Sequence, residues 1–323
     1  MPAQTYEDLP CASPANDVGF IGLGVMGAPM AAHILASLAN ARLHVSARRP
    51  ASAQPLVDAG AVWHPTARSL AAACRGARPT VVLMVPDLPD IEAVLDGPDG
   101  LLAGITRPTS IAICSTVSSA GVRALDVAVR ARTGGLAHVV DAPVSGGEEG
   151  ARAGTLSIMV GGSDDDAAQA CAALAPAGTP VHLGPLGSGQ IAKACNQMIV
   201  AATVLALGEA SVIAERAGLD VAALLDLLGG GYAGSRVLEV KKRRFAEHDH
   251  SPSGAAKFMV KDLGSATDEA IRTGTATPQL DLLRAVFTDL TAAGLGDQDT
   301  AVVQAFIEDL PRSAPAPPGR SDD

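Results

Sequence analysis

Val18-Gly19-Phe20-Ile21 runs directly into Gly22-Leu23-Gly24-Val25-Met26-Gly27, and that turn opens the stretch Ala28-Pro29-Met30-Ala31-Ala32-His33-Ile34-Leu35-Ala36-Ser37-Leu38. The first four residues read as a short buried strand, and the last stretch has the spacing of a helix. Between them stands Gly-x-Gly-x-x-Gly. Its first glycine permits a tight turn, its second lets the backbone approach a pyrophosphate, and its third allows helix and strand to pack closely, with phosphates at the positive helix end. The motif is common, so the strand before it and the helix after it give it meaning. Gly22, Leu23, Gly24, Val25, Met26 and Gly27 are therefore read as a dinucleotide-binding turn. The plainer reading is a glycine turn that serves packing alone.

Outward from this turn, short apolar runs alternate with Ala-rich helical stretches as far as about Leu183: VGFIGL, LHVSA, TVVLMVP, SIAICS, HVVDAPV, LSIMVGG and PVHLG. Strands alternating with helices imply parallel βαβ units. From about Gly187 the strand-like runs stop, and QIAKACNQMIVAATVLALGEASVIAERAG and SATDEAIRTG read as helices ended by glycine. The expected fold is an α/β Rossmann-type N-terminal domain with a parallel-rich sheet (17–184), followed by an all-α C-terminal domain (185–310). A long interdomain helix from Gly189 to about Ala217 joins them. Residues 1–16 and the Pro-rich 311–323 read as disordered tails.

The 323 residues carry 24 Lys+Arg against 34 Asp+Glu, a net charge of -10. That field repels a polyanion, so nucleic acid is not an expected partner. The chain is long enough to bury a core without disulfides or metals. Its five cysteines (Cys11, Cys74, Cys114, Cys171, Cys195) show no paired spacing, which fits a reducing cytoplasm. The N-terminus has no basic segment followed by an apolar one, so no signal peptide is expected. Met198 to Ala214 is the most apolar stretch; Thr203, Glu209 and Ser211 within it give a buried helix rather than a membrane span, which needs about 20 largely apolar residues. A helix apolar on several faces also points to a homodimer or higher homo-oligomer. The run Lys241-Lys242-Arg243-Arg244 reads as a solvated helix face or a local anion contact.

Strand ends carry the chemistry in an open α/β sheet. After the second strand come Ser46-Ala47-Arg48-Arg49 and no acid. An acid there binds the ribose hydroxyls of NAD, whereas an arginine accommodates the 2′-phosphate of NADP. The expectation is NADP(H), with Arg48 as clamp and Arg49 as its neighbour, and NAD(H) as the second possibility. Val85 and Pro86 follow another strand and Thr116 a further one; all three are expected to border the cofactor, although Thr116 also reads as a helix cap. Ser145-Gly146-Gly147 offers consecutive backbone N–H groups to a carboxylate or oxyanion. Lys193, Asn196 and Gln197 then share one helix face at i, i+3 and i+4. A lysine in so apolar a helix either reaches a cleft or snorkels to solvent.

These motifs in this order resemble the β-hydroxyacid dehydrogenase family, which includes 3-hydroxyisobutyrate dehydrogenase and tartronate semialdehyde reductase and is related to 6-phosphogluconate dehydrogenase. The resemblance runs from about Val18 to Leu310. It rests on GFIGLGVMG, DAPVSGG, GSGQIAKACNQ and Lys261-Asp262-Leu263. It implies an NADP(H)-dependent oxidoreductase that interconverts a small β-hydroxyacid and its semialdehyde. In that reading Ser145, Gly146 and Gly147 hold the substrate carboxylate, Lys193 is the catalytic proton donor and acceptor, and Asn196 is the amide beside it. Lys261 lies close to cofactor and active site. Gln197 stands where some members have a second asparagine, so which amide meets substrate stays open. A base role for Lys193 requires a lowered pKa, which burial or a cationic neighbour such as Lys261 could supply. No metal is expected. Two alternatives are imine reduction on the same architecture, whose enzymes usually lack a lysine at this position, and a non-catalytic dinucleotide-binding scaffold.

Overall fold

The computed structural model describes residues 16–311. The two expected tails lie outside the described residues, apart from Asn16 and Pro311. Among the described residues nine strands form: β1 (Val18–Ile21), β2 (Leu43–Ser46), β3 (Val62–Trp63), β4 (Thr80–Leu83), β5 (Thr109–Ile113), β6 (Ala137–Asp141), β7 (Val144–Ser145), β8 (Leu156–Val160) and β9 (Gly178–His182). The first six make a parallel sheet in the order β3-β2-β1-β4-β5-β6. Because both faces are covered, the strands are continuous apolar runs rather than alternating ones. Phe20 and Val82 pack into one core, Ile21 and Val81 into the other. The α/β Rossmann-type expectation is borne out, and order reverses between β1 and β4, where such sheets bind ligands.

The run HVVDAPV does not continue as one strand. Proline has no N–H to give a ladder, and at Ala142-Pro143 the chain leaves β6 and enters β7. This begins a second sheet, β7-β8-β9, with β7 antiparallel to β8 and β8 parallel to β9. Strands β3 and β7 have two residues each, too few for any periodicity to announce them.

Beyond β9 the described chain is helical, with helices Ser188–Arg216, Val221–Gly229, Arg236–Glu247, Phe258–Thr273, Pro278–Leu290 and Val303–Asp309. Its extended pairing among the described residues is one isolated bridge, Ala255 to Asp299. The long expected helix is present at Ser188–Arg216. By length and composition alone it would suffice to cross a membrane, but half of its apolar window is buried within the fold, as in a core helix.

Contacts group the chain into two compact units that do not follow a single cut. One takes the chain through Asn196 together with Ser265–Gly274. The other takes Gln197–Gly264 together with the chain from Thr275 onward.

Within the second unit the basic run is neither wholly solvated nor an external anion site. Lys241 Nζ donates to both oxygens of the fully buried Asp299, at 2.7 and 2.8 Å. Burial alone would push that carboxyl up, yet the Lys241 charge and the surrounding hydrogen bonds hold it below the ordinary carboxylate value. Lys242 pairs with Asp226, Arg243 with Glu247, and Arg244 donates to the carbonyls of Asp249 and Ser251. His248 lies between two carboxylates, with Nε2 3.2 Å from Glu215 and Nδ1 3.5 Å from Glu308. The two ring nitrogens face different acids, so the imidazole bridges Glu215 and Glu308.

Candidate active site

The turn after β1 has the geometry that its glycines foretell. Gly22 sits at φ +101°, and a β-carbon there would lie 2.2 Å from the Met84 carbonyl oxygen. A β-carbon on Gly27 would lie 1.9 Å from the Gly22 carbonyl oxygen, so the helix Gly27–Ser37 reaches its packing distance only with glycine. Gly24 is different: a β-carbon there would meet no protein atom within 4 Å. Packing does not demand glycine at 24. The open space in front of its backbone fits the approach of a dinucleotide pyrophosphate to a helix N-terminus. Leu23 turns its side chain into the core and offers only backbone, Met26 packs partly buried against the same core, and Val25 is exposed.

After β2, Arg48 and Arg49 are both exposed. Arg48 is tied only loosely, its Nη1 4.0 Å from an Asp90 carboxylate oxygen, while Arg49 precedes the short helix Pro50–Ala53.

The ends of β4, β5 and β6 are knitted together by residues for which sequence reasoning gave no role. Ser115 Oγ donates to the Val85 carbonyl (2.6 Å) and accepts from the Val85 N–H (3.2 Å). Gln190, in the first turn of the long helix, donates through Nε2 to the Ser115 carbonyl (2.9 Å) and accepts at Oε1 from the Val117 N–H (3.1 Å). The fully buried Asp141 at the end of β6 accepts from the N–H groups of Gly187 and Gln190, each at 2.7 Å. Burial pushes the Asp141 carboxyl up to about 6, although those backbone donors pull it down. Gly189 fits here because a β-carbon would lie 2.1 Å from the Met159 carbonyl. Pro86 is exposed and Thr116 half-buried beside this network. Thr116 is not the helix cap: Ser118 is, accepting from the Gly121 N–H at 3.0 Å. Only the bare glycine and carboxylate in DAPVSGG and GSGQ hinted at these partners.

One turn beyond Gln190, Lys193 is 7% exposed, which excludes a lysine snorkelling to solvent. On the same face Asn196 Oδ1 accepts a hydrogen bond from Ser145 Oγ at 3.2 Å. The fold thus joins the helix amide to the Ser145-Gly146-Gly147 loop. Gly146 and Gly147 are exposed at φ +133° and +64°, a left-handed pair that side chains resist. Gln197 belongs to the second unit and turns elsewhere: it is buried, and its Nε2 donates to Asp262 at 2.6 Å. Asp262 follows the half-buried Lys261 on the helix Phe258–Thr273.

Residues 17–186 match the family model described as the NAD binding domain of 6-phosphogluconate dehydrogenase, and residues 187–306 that described as NAD-binding of NADP-dependent 3-hydroxyisobutyrate dehydrogenase. The chain belongs to the β-hydroxyacid dehydrogenase family. It is 36% identical to an NAD-dependent L-serine dehydrogenase of Pseudomonas aeruginosa, over 91% of this chain and 98% of the relative. It is also 36% identical to a 2-hydroxy-3-oxopropionate reductase of Escherichia coli, over 90% and 96%. The solved 3-hydroxyisobutyrate dehydrogenase of Mycobacterium tuberculosis with L-serine superimposes with a TM-score of 0.74 at 29% identity, over 90% of this chain and 99% of that one. The enzyme is an NAD(P)-dependent β-hydroxyacid dehydrogenase, and the scaffold alternative falls away.

Proposed function

We propose that this dehydrogenase interconverts a small β-hydroxyacid and its semialdehyde, of the 3-hydroxyisobutyrate or tartronate semialdehyde type, with NADP(H) preferred and Lys193 moving the proton. The observation that carries the reading is the buried Lys193, on a helix face whose Asn196 is bonded to Ser145. Gly22 to Gly27, Val85, Pro86 and Thr116 would hold the dinucleotide. The bound nicotinamide supplies or accepts a hydride at the substrate carbon. Lys193 Nζ gives a proton to the carbonyl oxygen during reduction and takes it back from the hydroxyl during oxidation. Asn196 orients that oxygen, and the N–H groups of Ser145, Gly146 and Gly147 hold the carboxylate. Gln197 donates to Asp262, and in this reading Asn196, bonded to Ser145, is the amide that meets substrate. Turnover of L-serine, 3-hydroxyisobutyrate and 2-hydroxy-3-oxopropionate with each nicotinamide cofactor tests the assignment; no turnover across that panel would refute it.

The cofactor preference rests on the exposed Arg48 and the missing acid after β2; one relative is named NAD-dependent, whereas the description of the second family model names NADP. Arg48→Ala should raise the KM for NADPH by one to two orders of magnitude and leave that for NADH nearly unchanged, because a charge-assisted contact contributes ~1.5–3 kcal/mol and only NADPH carries the phosphate. Equal effects on both cofactors would reduce Arg48 to a support of its loop.

The reading includes a cytoplasmic homodimer. In the second unit the apolar helix Val221–Gly229 buries only Leu225, and Leu227 and Ile213 remain largely exposed. Soluble monomers rarely leave such apolar surface open. Light scattering at micromolar concentration should give twice the chain mass, and a monomeric mass would remove this part of the reading.

A further inference from the structure

We infer that Gln190 is a positioning residue that sets where Lys193 stands relative to the strand-end loop Ser115–Val117. The inference rests on the proton-transfer reading of Lys193. Gln190 is 2% exposed, and both ends of its amide are used on backbone. Oε1 accepts from Val117 N–H and Nε2 donates to the Ser115 carbonyl, so the side chain brackets Thr116 as a neighbouring strand would. Ser115 passes the constraint on through its two bonds to Val85. Gln190's own N–H is fixed by Asp141. One side chain therefore ties the helix to the ends of β4 and β5, where the dinucleotide is expected to lie.

Lys193 follows three residues later, about 4.5 Å along the helix axis and on the same side. Shift or rotation of this turn carries Lys193 with it. Proton and hydride must reach adjacent atoms of one carbonyl, so the two sources need a fixed separation, and misplacement by about 1 Å costs on the order of 100-fold. A surface glutamine would do none of this. A buried amide that spends both ends on the loop at the cofactor side does.

Gln190→Met keeps the length and apolar volume and removes both bonds. It should lower kcat about 10- to 100-fold, change the KM for the hydroxyacid by less than about threefold, and raise the primary deuterium isotope effect on hydride transfer as the chemical step becomes limiting. Gln190→Glu accepts from Val117 when ionised but donates to Ser115 only when protonated. Its buried carboxyl should titrate above the usual range. Turnover relative to wild type should thus recover as pH falls, whereas the Met ratio stays flat. The Glu variant keeps the question answerable if the Met variant does not fold. Wild-type kcat and isotope effect in folded Gln190→Met would overturn the inference, as would a flat Glu ratio. Failure of the underlying reading looks different: Lys193→Arg would then retain turnover. A wild-type-like Gln190→Met alongside an inactive Lys193→Ala would sink the positioning role alone.

Discussion

Lys193→Ala should lower the turnover number by about 10²–10⁴-fold, the range for a positioned acid–base group, while dinucleotide affinity stays within a small factor. Lys193 as a whole is 7% exposed, so its truncation also leaves a small cavity, and circular dichroism should accompany the kinetics. Lys193→Arg separates charge from proton transfer. A guanidinium keeps the positive charge yet does not readily release a proton. Arginine should therefore recover substrate binding and not turnover. Retention of most activity by Lys193→Arg would show that the residue is an electrostatic anchor.

The second large effect belongs to stability. Asp141→Ala should cost ~3–6 kcal/mol, because two buried N–H donors lose a charged acceptor worth ~1.5–3 kcal/mol each. That is a large share of the ~5–15 kcal/mol that holds an ordinary domain, and the fall in Tm and denaturation midpoint will be plain. The pH dependence has a definite sign. In the folded state the carboxyl titrates near about 6, above its unfolded value of ~3.9, so between the two the folded state binds the proton more tightly. Stability from this group is full below about pH 4, declines as pH rises to about 6, and is level above that. Relative to Asp141→Asn, which does not titrate there, wild type should lose roughly 3 kcal/mol across this window. A difference that stayed constant from pH 4 to 7 would show that burial does not dominate the Asp141 environment.

Several features needed only the order of the residues. The strand, turn and helix from Val18 to Ser37 were legible because a four-residue apolar run, three glycines at fixed spacing and a helical period are local properties. The helix Ser188–Arg216 was legible for the same reason, and so was the change from alternating elements to helices after β9. The family signatures were equally local, which is why Lys193, Asn196 and the Ser145 loop could be singled out together.

The tertiary structure alone decided who faces whom. That Lys193 is buried rather than snorkelling, that Asn196 goes to Ser145 while Gln197 goes to Asp262, and that Lys241 meets a buried Asp299 are outcomes of packing. So is the return of Ser265–Gly274 to the first compact unit. Asp141 reaches Gly187 across 46 residues and Gln190 reaches Ser115 across 75. Periodicity and turn chemistry act over a few residues, whereas a buried hydrogen-bonding group takes whichever partner the assembled strand ends bring within 3 Å or so. A sequence read locally can mark such groups as polar and enclosed; their partners follow only once the sheet has put those ends side by side.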